Sequence, residues 1–144
     1  MNTWRSGAEQ VLITLWIGGL WVIGYVVAPV LFATLDDRML AGMLAGKMFT
    51  VIAYIGLFAG VVLLFAEQFR PEGARRWRLG VLIAMLVLVV IGQFVLQPQM
   101  AALKAAGLSK DLSGSQFAML HGLASVLYLI NSLLGLALLV VRRP

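Results

Sequence analysis

The sequence contains one histidine, His121, in the segment MLHGLASVLYLIN near the start of a long apolar run. At 100° per residue, one helical face of this run carries further polar side chains: Ser125, Tyr128 and Ser132, with Asn131 to one side. An imidazole here has three uses, as a ligand, as a proton relay, or as a hydrogen-bonding contact to a neighbouring helix. The sequence leaves these three interpretations open.

Polar side chains also occur in three other apolar runs, at a depth similar to that of His121: Tyr25, Lys47, Gln93 and Gln97. Amide and imidazole groups in hydrocarbon need polar partners. We therefore expect these side chains to form one binding site together with His121 and Ser125. Lys47 has two interpretations, because its amine can face this site or extend to the lipid headgroups.

A soft-metal site is a further hypothesis. Met43 and Met119 map to the same side as His121, and thioethers and imidazole both suit copper. Methionine is also a general apolar gap-filler. A structural zinc site is excluded, because it needs four ligands and the chain offers one histidine and no cysteine. No nucleophile–base–acid set that would support hydrolysis is visible, so an enzymatic function is not favoured.

The composition is that of an integral membrane protein. Of 144 residues, 62% are hydrophobic and 12% are charged, and the mean hydropathy is +0.99. Soluble domains are nearer 25% charged. The net charge of +5 sits mainly in short loops, where it favours an orientation signal over nucleic-acid binding. We expect the lipid bilayer as the partner and no nucleic acid.

Four apolar runs predict four membrane-spanning helices, over about 8–35, 38–68, 77–97 and 116–141. The predicted fold is an all-α four-helix bundle, with residues 1–144 as a single domain. The first run is too long for a signal peptide and lacks an A-x-A site, so we expect it to be retained. Asp36 and Asp37, and later Ser113, are candidate helix caps. Pro98 is expected to disturb the end of the third helix, followed by a short helix along the membrane surface.

The basic residues predict the orientation. Seven fall on one side, namely Arg5, Arg70, Arg75, Arg76, Arg78, Arg142 and Arg143. Four fall on the other side, namely Arg38, Lys47, Lys104 and Lys110. Because the larger number belongs in the cytoplasm, we expect a multi-pass protein of the inner (plasma) membrane with both termini cytoplasmic and an outward-facing polar site.

The second helix carries a stripe of small residues: Gly42, Gly46, Gly56 and Gly60. Two G-x-x-x-G pairs in register predict a close helix contact. The partner can be another helix of the chain, a second copy in a homo-oligomer, or another membrane protein. In the first helix, Pro29 cannot donate to the carbonyl of Tyr25, which leaves that oxygen in need of a partner.

Three segments carry a family resemblance: LWIGGLWVIGYVVAPVLFATLDDRMLAGMLAGKMF, LQPQM and FAMLHGLASVLYLIN. They resemble the transmembrane protein 205-like family, a domain-of-unknown-function group of four-span proteins. The matching positions are Pro29 and Phe32 in P-x-x-F, Ala41, Gly42, Gly46 and Phe49 at the start of helix 2, Pro98 after helix 3, and Leu120, His121, Gly122 and Ser125 in L-H-G-x-x-S.

The resemblance implies a membrane protein without a settled activity. One eukaryotic relative is associated with platinum-drug resistance, which implies handling of soft metals. The fold is also distantly similar to CopD copper-resistance proteins and HemJ-type protoporphyrinogen oxidases, which implies copper or haem as a cofactor. The HemJ-type histidine and lysine pattern is not evident, and a CopD-like copper site would use more than one histidine.

The sequence therefore predicts transport or binding of a small solute or soft metal. A haem-linked membrane oxidoreductase and a structural or accessory membrane subunit remain as alternatives.

Overall fold

A computed structural model describes residues 3–107 and 114–141. Its four long helices are α1 (Thr3–Thr34), α2 (Arg38–Glu67), α3 (Glu72–Val90, Ile91–Leu96 and Gln97–Ala105 in continuous succession) and α4 (Gly114–Val140). Each is long and apolar enough to cross a membrane. The described residues contain no strand, so the all-α, four-helix prediction is confirmed.

The helices form an up-and-down ring. Each helix packs against its neighbours in sequence, and α1 closes the ring by packing against α4. The largest fully buried apolar side chains come from the first three helices: Trp16, Ile17, Leu63, Leu82 and Met85. Phe58 and Phe65 of α2 lie on the outer surface, at 67% and 63% exposure, as expected for side chains in contact with lipid.

Of the two aspartates expected to cap α2, Asp37 makes the cap. Its Oδ1 accepts hydrogen bonds from the backbone N–H groups of Met39, at 2.8 Å, and Leu40, at 3.2 Å. These bonds satisfy two of the donors that a helix start leaves without partners. The predicted cap at Ser113 lies outside the described residues.

The two prolines of the spans each follow a π-helical turn, Ile23–Val27 before Pro29 and Ile91–Leu96 before Pro98. In these wider turns the backbone bonds reach five residues back, as from Gln97 N–H to Gly92 O. The wider turn takes up the proline without ending the helix. The prediction that α3 ends near Gln97 is therefore wrong, because α3 continues to Ala105 and replaces the separate surface helix expected there.

Three ion pairs, two of which share the Glu67 carboxylate, hold together the end of the bundle that carries the start of α1 and the α2–α3 turn, here called the Glu67 end. Glu67 is fully buried, and its Oε1 lies 2.7 Å from Arg78 Nε and 3.1 Å from Arg70 Nε. Arg70 also pairs with Glu9 of α1. Since Glu9 and Glu67 balance Arg70 and Arg78, this cluster joins α1, α2 and α3 without net charge.

Candidate functional site

A cavity of about 430 Å³ lies between the four helices, in the half of the bundle opposite the Glu67 end. We call this half, which contains the α1–α2 connection and the start of α4, the His121 half. Every helix contributes side chains to the cavity wall: Tyr25 and Phe32 from α1, Phe49 and Ile52 from α2, Gln93, Gln97, Met100 and Lys104 from α3, and Phe117, His121, Ser125 and Asn131 from α4. The two π-helical turns border it, through Gly24 and Gly92.

The cavity opens on one side, between α1 and α4. The α2 residues in its wall are buried or half-buried, and so are those of α3 except Lys104. The exposed wall residues are instead Tyr25 and Phe32 of α1, and His121, Ser125 and Leu129 of α4. The last part of α1, Ala28–Thr34, packs against α2. Helices α2 and α3 therefore form the back wall, and the gap between α1 and α4 is the entrance.

Several polar groups of the cavity already have partners in neighbouring helices. The Tyr25 hydroxyl donates to Ser132 Oγ at 3.1 Å, and the Tyr128 hydroxyl donates to the Leu20 carbonyl. Gln93 Nε2 donates to Thr50 Oγ1 at 3.4 Å. Tyr25, Tyr128 and Gln93 therefore connect α1 with α4 and α2 with α3.

Other polar groups of the cavity lack such partners. The His121 imidazole stacks on the Phe117 ring, with centroids 6.1 Å apart, and makes no hydrogen bond to any residue in the described ranges. Asn131 is 4% exposed, and its Oδ1 is buried without a hydrogen-bond partner among those same residues. Because a buried polar atom without a partner is costly, the Asn131 oxygen is a group that a bound molecule would satisfy, and the exposed His121 imidazole can bond such a molecule as well.

Lys104 lies at the rim of the cavity, in the last turn of α3. Its Nζ stands 5.5 Å from the centroid of the Phe117 ring. Among residues 3–107 and 114–141, no aspartate or glutamate lines the cavity, and the ion pairs all involve Glu9 or Glu67 at the other end. Lys104 is thus the cation of this site and has no acidic partner among the described residues.

The structure brings together five of the six predicted binding residues, because Tyr25, Gln93, Gln97, His121 and Ser125 all line the cavity. The sixth, Lys47, is exposed and lies outside the wall. Pro29 itself is exposed and is not part of the wall either.

The structure does not gather the three predicted copper ligands. His121 lines the cavity, whereas Met43 and Met119 lie outside it at 50% and 68% exposure. Within the described ranges, no group of three His, Cys, Asp or Glu side chains could hold a metal ion. For a haem iron, His121 is the one imidazole ligand that the chain offers, and the chain has no cysteine that could serve as a second ligand.

The predicted glycine stripe has two functions within the chain. A Cβ on Gly56 would overlap the Trp16 indole, and a Cβ on Gly60 would overlap Leu86, so these two glycines allow close packing against α1 and α3. Gly42 and Gly46 instead line the cavity. All four glycines thus face the inside of the bundle, and contact with a second subunit through α2 would require a different face.

Sequence reasoning missed Lys104, Met100 and Asn131 as cavity residues, and the Glu67 cluster altogether. Lys104 and Met100 were missed because the third helix was predicted to end near Pro98, before either residue. With α3 continued, Gln93, Gln97, Met100 and Lys104 follow a spacing of four, three and four residues, which is one helical face. For the cluster, the signal was a glutamate within each of the first two spans, with arginine three residues after the second.

The fold and the site define a multi-pass membrane protein with four apolar helices around a side-opening cavity. The chain belongs to a family described as a domain of unknown function, DUF4149, whose profile matches residues 11–109. The match covers α1 from residue 11 onward and all of α2 and α3, and it ends before α4, so His121 and Ser125 lie outside it. The comparisons with curated proteins and with solved structures returned no match.

Proposed function

We propose that this protein binds a small organic molecule of the membrane in the cavity of the His121 half, as a carrier or as a binding protein. The observation that carries the proposal is the convergence of polar side chains from α1, α3 and α4 on one side-opening cavity, whose α2 wall is formed by small and apolar residues. At about 430 Å³, the cavity falls in the range of about 300–1,000 Å³ that is typical of sites for small molecules.

The chemistry of the wall favours an amphiphilic molecule. Its buried part is apolar at Leu20, Ile52 and Val89, with Asn131 as its buried amide, and its exposed rim carries His121 and Lys104. The entrance between α1 and α4 faces sideways, where the apolar outer surfaces of the helices meet lipid. A molecule with an apolar body and a polar end could enter from the bilayer and place its polar end at the rim.

An organic molecule suits the site better than a soft metal ion, because the predicted donors Met43 and Met119 lie outside the cavity while His121 lies within it. In the orientation that the basic residues predict, the rim faces outward and both termini are cytoplasmic. The soft-metal hypothesis came from the resemblance to the transmembrane protein 205-like family. From that resemblance, only the four-span architecture and the position of His121 support the present proposal.

Equilibrium dialysis of radiolabelled dodecanoate and dodecanol against the protein in lipid nanodiscs tests the proposal, with empty nanodiscs of the same lipid as the blank. We expect saturable binding. Gly42→Leu should abolish it, because a Cβ there meets only Lys104 Nζ and Phe32 at 3.8 Å, so the larger side chain can extend into the cavity.

Gly122→Leu is the matched control. Gly122 lies in the same half and is exposed, and a Cβ on it would meet no described atom within 4 Å, so binding should persist. The proposal is refuted if neither compound binds saturably, or if Gly42→Leu and Gly122→Leu lose binding to the same extent. Cu(I) titration and an absorbance spectrum of the same sample address the alternatives: stoichiometric Cu(I) bound through His121 would favour the soft-metal function, and a haem band would favour the oxidoreductase.

A further inference from the structure

We infer that the molecule bound in this cavity is a single-chain amphiphile with an anionic head, a carboxylate or phosphate, held by Lys104 and Gln97 over the edge of α2 formed by Gly42 and Gly46. This inference rests on the proposed function and adds the charge and the position of the head group.

The charge of the site is the first argument. Among the described residues, Lys104 is the one charged side chain in the cavity wall, and no described carboxylate neutralises it. In the same half, Asp37 is engaged as the cap of α2. An ammonium beside an apolar, partly enclosed cavity gains most from an anion, because charge-assisted hydrogen bonds are about twice as strong as neutral ones.

The position of the donors is the second argument. Lys104 Nζ lies 3.8 Å from the place that a Cβ on Gly42 would take, and Gln97 Nε2 lies 3.3 Å from the corresponding place on Gly46. Gly42 and Gly46 are one helical turn apart, about 6 Å along the α2 axis, so the two nitrogens lie beside successive turns of α2. Two donors beside successive turns of one helix can bond different oxygens of one carboxylate or phosphate, at roughly 2.8 Å each.

The glycines are the third argument. Among the stripe residues, Gly56 and Gly60 lie directly against Trp16 and Leu86, whereas Gly42 and Gly46 line the cavity and have Lys104 Nζ and Gln97 Nε2 among their neighbours. Because these two glycines have no side chains, a head group bonded to both nitrogens can lie close to the α2 backbone. The chain of the amphiphile would then extend toward Ile52 and the core.

The test compares three probes of equal chain length, dodecanoate, dodecanol and dodecyltrimethylammonium, in nanodiscs of zwitterionic lipid. Dodecanoate should bind most tightly and the cation least. Lys104→Gln should weaken dodecanoate binding about 10- to 100-fold, as expected for the loss of one charge-assisted hydrogen bond, and leave dodecanol nearly unchanged. Lys47→Gln, which removes the same charge in the same half but outside the cavity, should change neither.

The outcomes separate the two proposals. Equal affinity for dodecanoate and dodecanol, or no effect of Lys104→Gln, overturns the anionic head while the cavity remains a binding site. Equal weakening by Lys104→Gln and Lys47→Gln also overturns it, since the effect is then general attraction to a basic surface. If none of the three probes binds, the proposed function itself fails. A phosphate monoester, dodecyl phosphate, shows whether a carboxylate or a phosphate head is preferred.

Discussion

Replacing Gly56 with alanine tests the close packing between α1 and α2. Gly56 of α2 is buried against Trp16 of α1, which is 0% exposed, and a Cβ on Gly56 would overlap the indole. The indole is rigid and enclosed by the core, so it cannot move aside without displacing other side chains. We expect Gly56→Ala to destabilise the bundle.

The magnitude follows from two opposing effects. Forcing one extra carbon into a packed core costs about 1–3 kcal/mol. Alanine in a helix gains about 1 kcal/mol over glycine. Gly80→Ala is the control that isolates the first effect, because Gly80 of α3 is exposed and a Cβ there meets nothing within 4 Å. The two variants should therefore differ in unfolding free energy by about 1–3 kcal/mol, with Gly80→Ala the more stable.

Thermal unfolding in detergent, followed by far-ultraviolet circular dichroism, measures this difference. For a chain of this length, about 1 kcal/mol corresponds to roughly 2–4 °C, so Gly56→Ala should melt about 2–12 °C below Gly80→Ala. Gly56→Leu should lower the melting temperature further. Equal melting temperatures of Gly56→Ala and Gly80→Ala would refute the close contact between α1 and α2.

Three further predictions concern the Glu67 end, the start of α2 and the orientation. In chemical unfolding, Glu67→Gln should lower the unfolding free energy by about 3–5 kcal/mol, because it leaves two arginines without their buried carboxylate. The control Glu72→Gln, at an exposed position, should cost under about 1 kcal/mol, and equal effects of the two variants would contradict a shared buried ion pair. Asp37→Ala should cost about 1 kcal/mol and Asp36→Ala much less, and the reverse order would show that the cap is assigned to the wrong residue. Reporter fusions after the last residue and within 105–112 should report opposite sides, with the C-terminal reporter cytoplasmic; a reporter active outside would reverse the predicted orientation.

The number and approximate extent of the helices could be predicted because long apolar runs depend on composition alone. The cap at Asp37 was predictable for a similar local reason. The continuation of α3 past Pro98 was not, because proline ordinarily ends a helix and the π-helical turn that takes it up has no sequence pattern of its own.

The candidate site could be predicted in part. Polar residues inside apolar runs need partners, and this requirement alone led to Gln97, His121 and Ser125. Whether Lys47 or Lys104 faces the cavity depends on how α2 and α3 are rotated in the bundle, and the sequence does not specify that rotation. The side entrance depends on the separation of α1 from α4, which is a property of the packed bundle.

Photolabelling with a diazirine-bearing dodecanoate in nanodiscs, followed by peptide mass spectrometry, tests the central claim most directly. If the cavity binds an amphiphile, the label should concentrate on the buried part of its wall, around Leu20, Ile52 and Val89, and excess unlabelled dodecanoate should remove it. The Gly42→Leu variant should lose the same labels. Labels confined to lipid-facing positions such as Phe58 and Phe65, and unaffected by competitor, would contradict the claim.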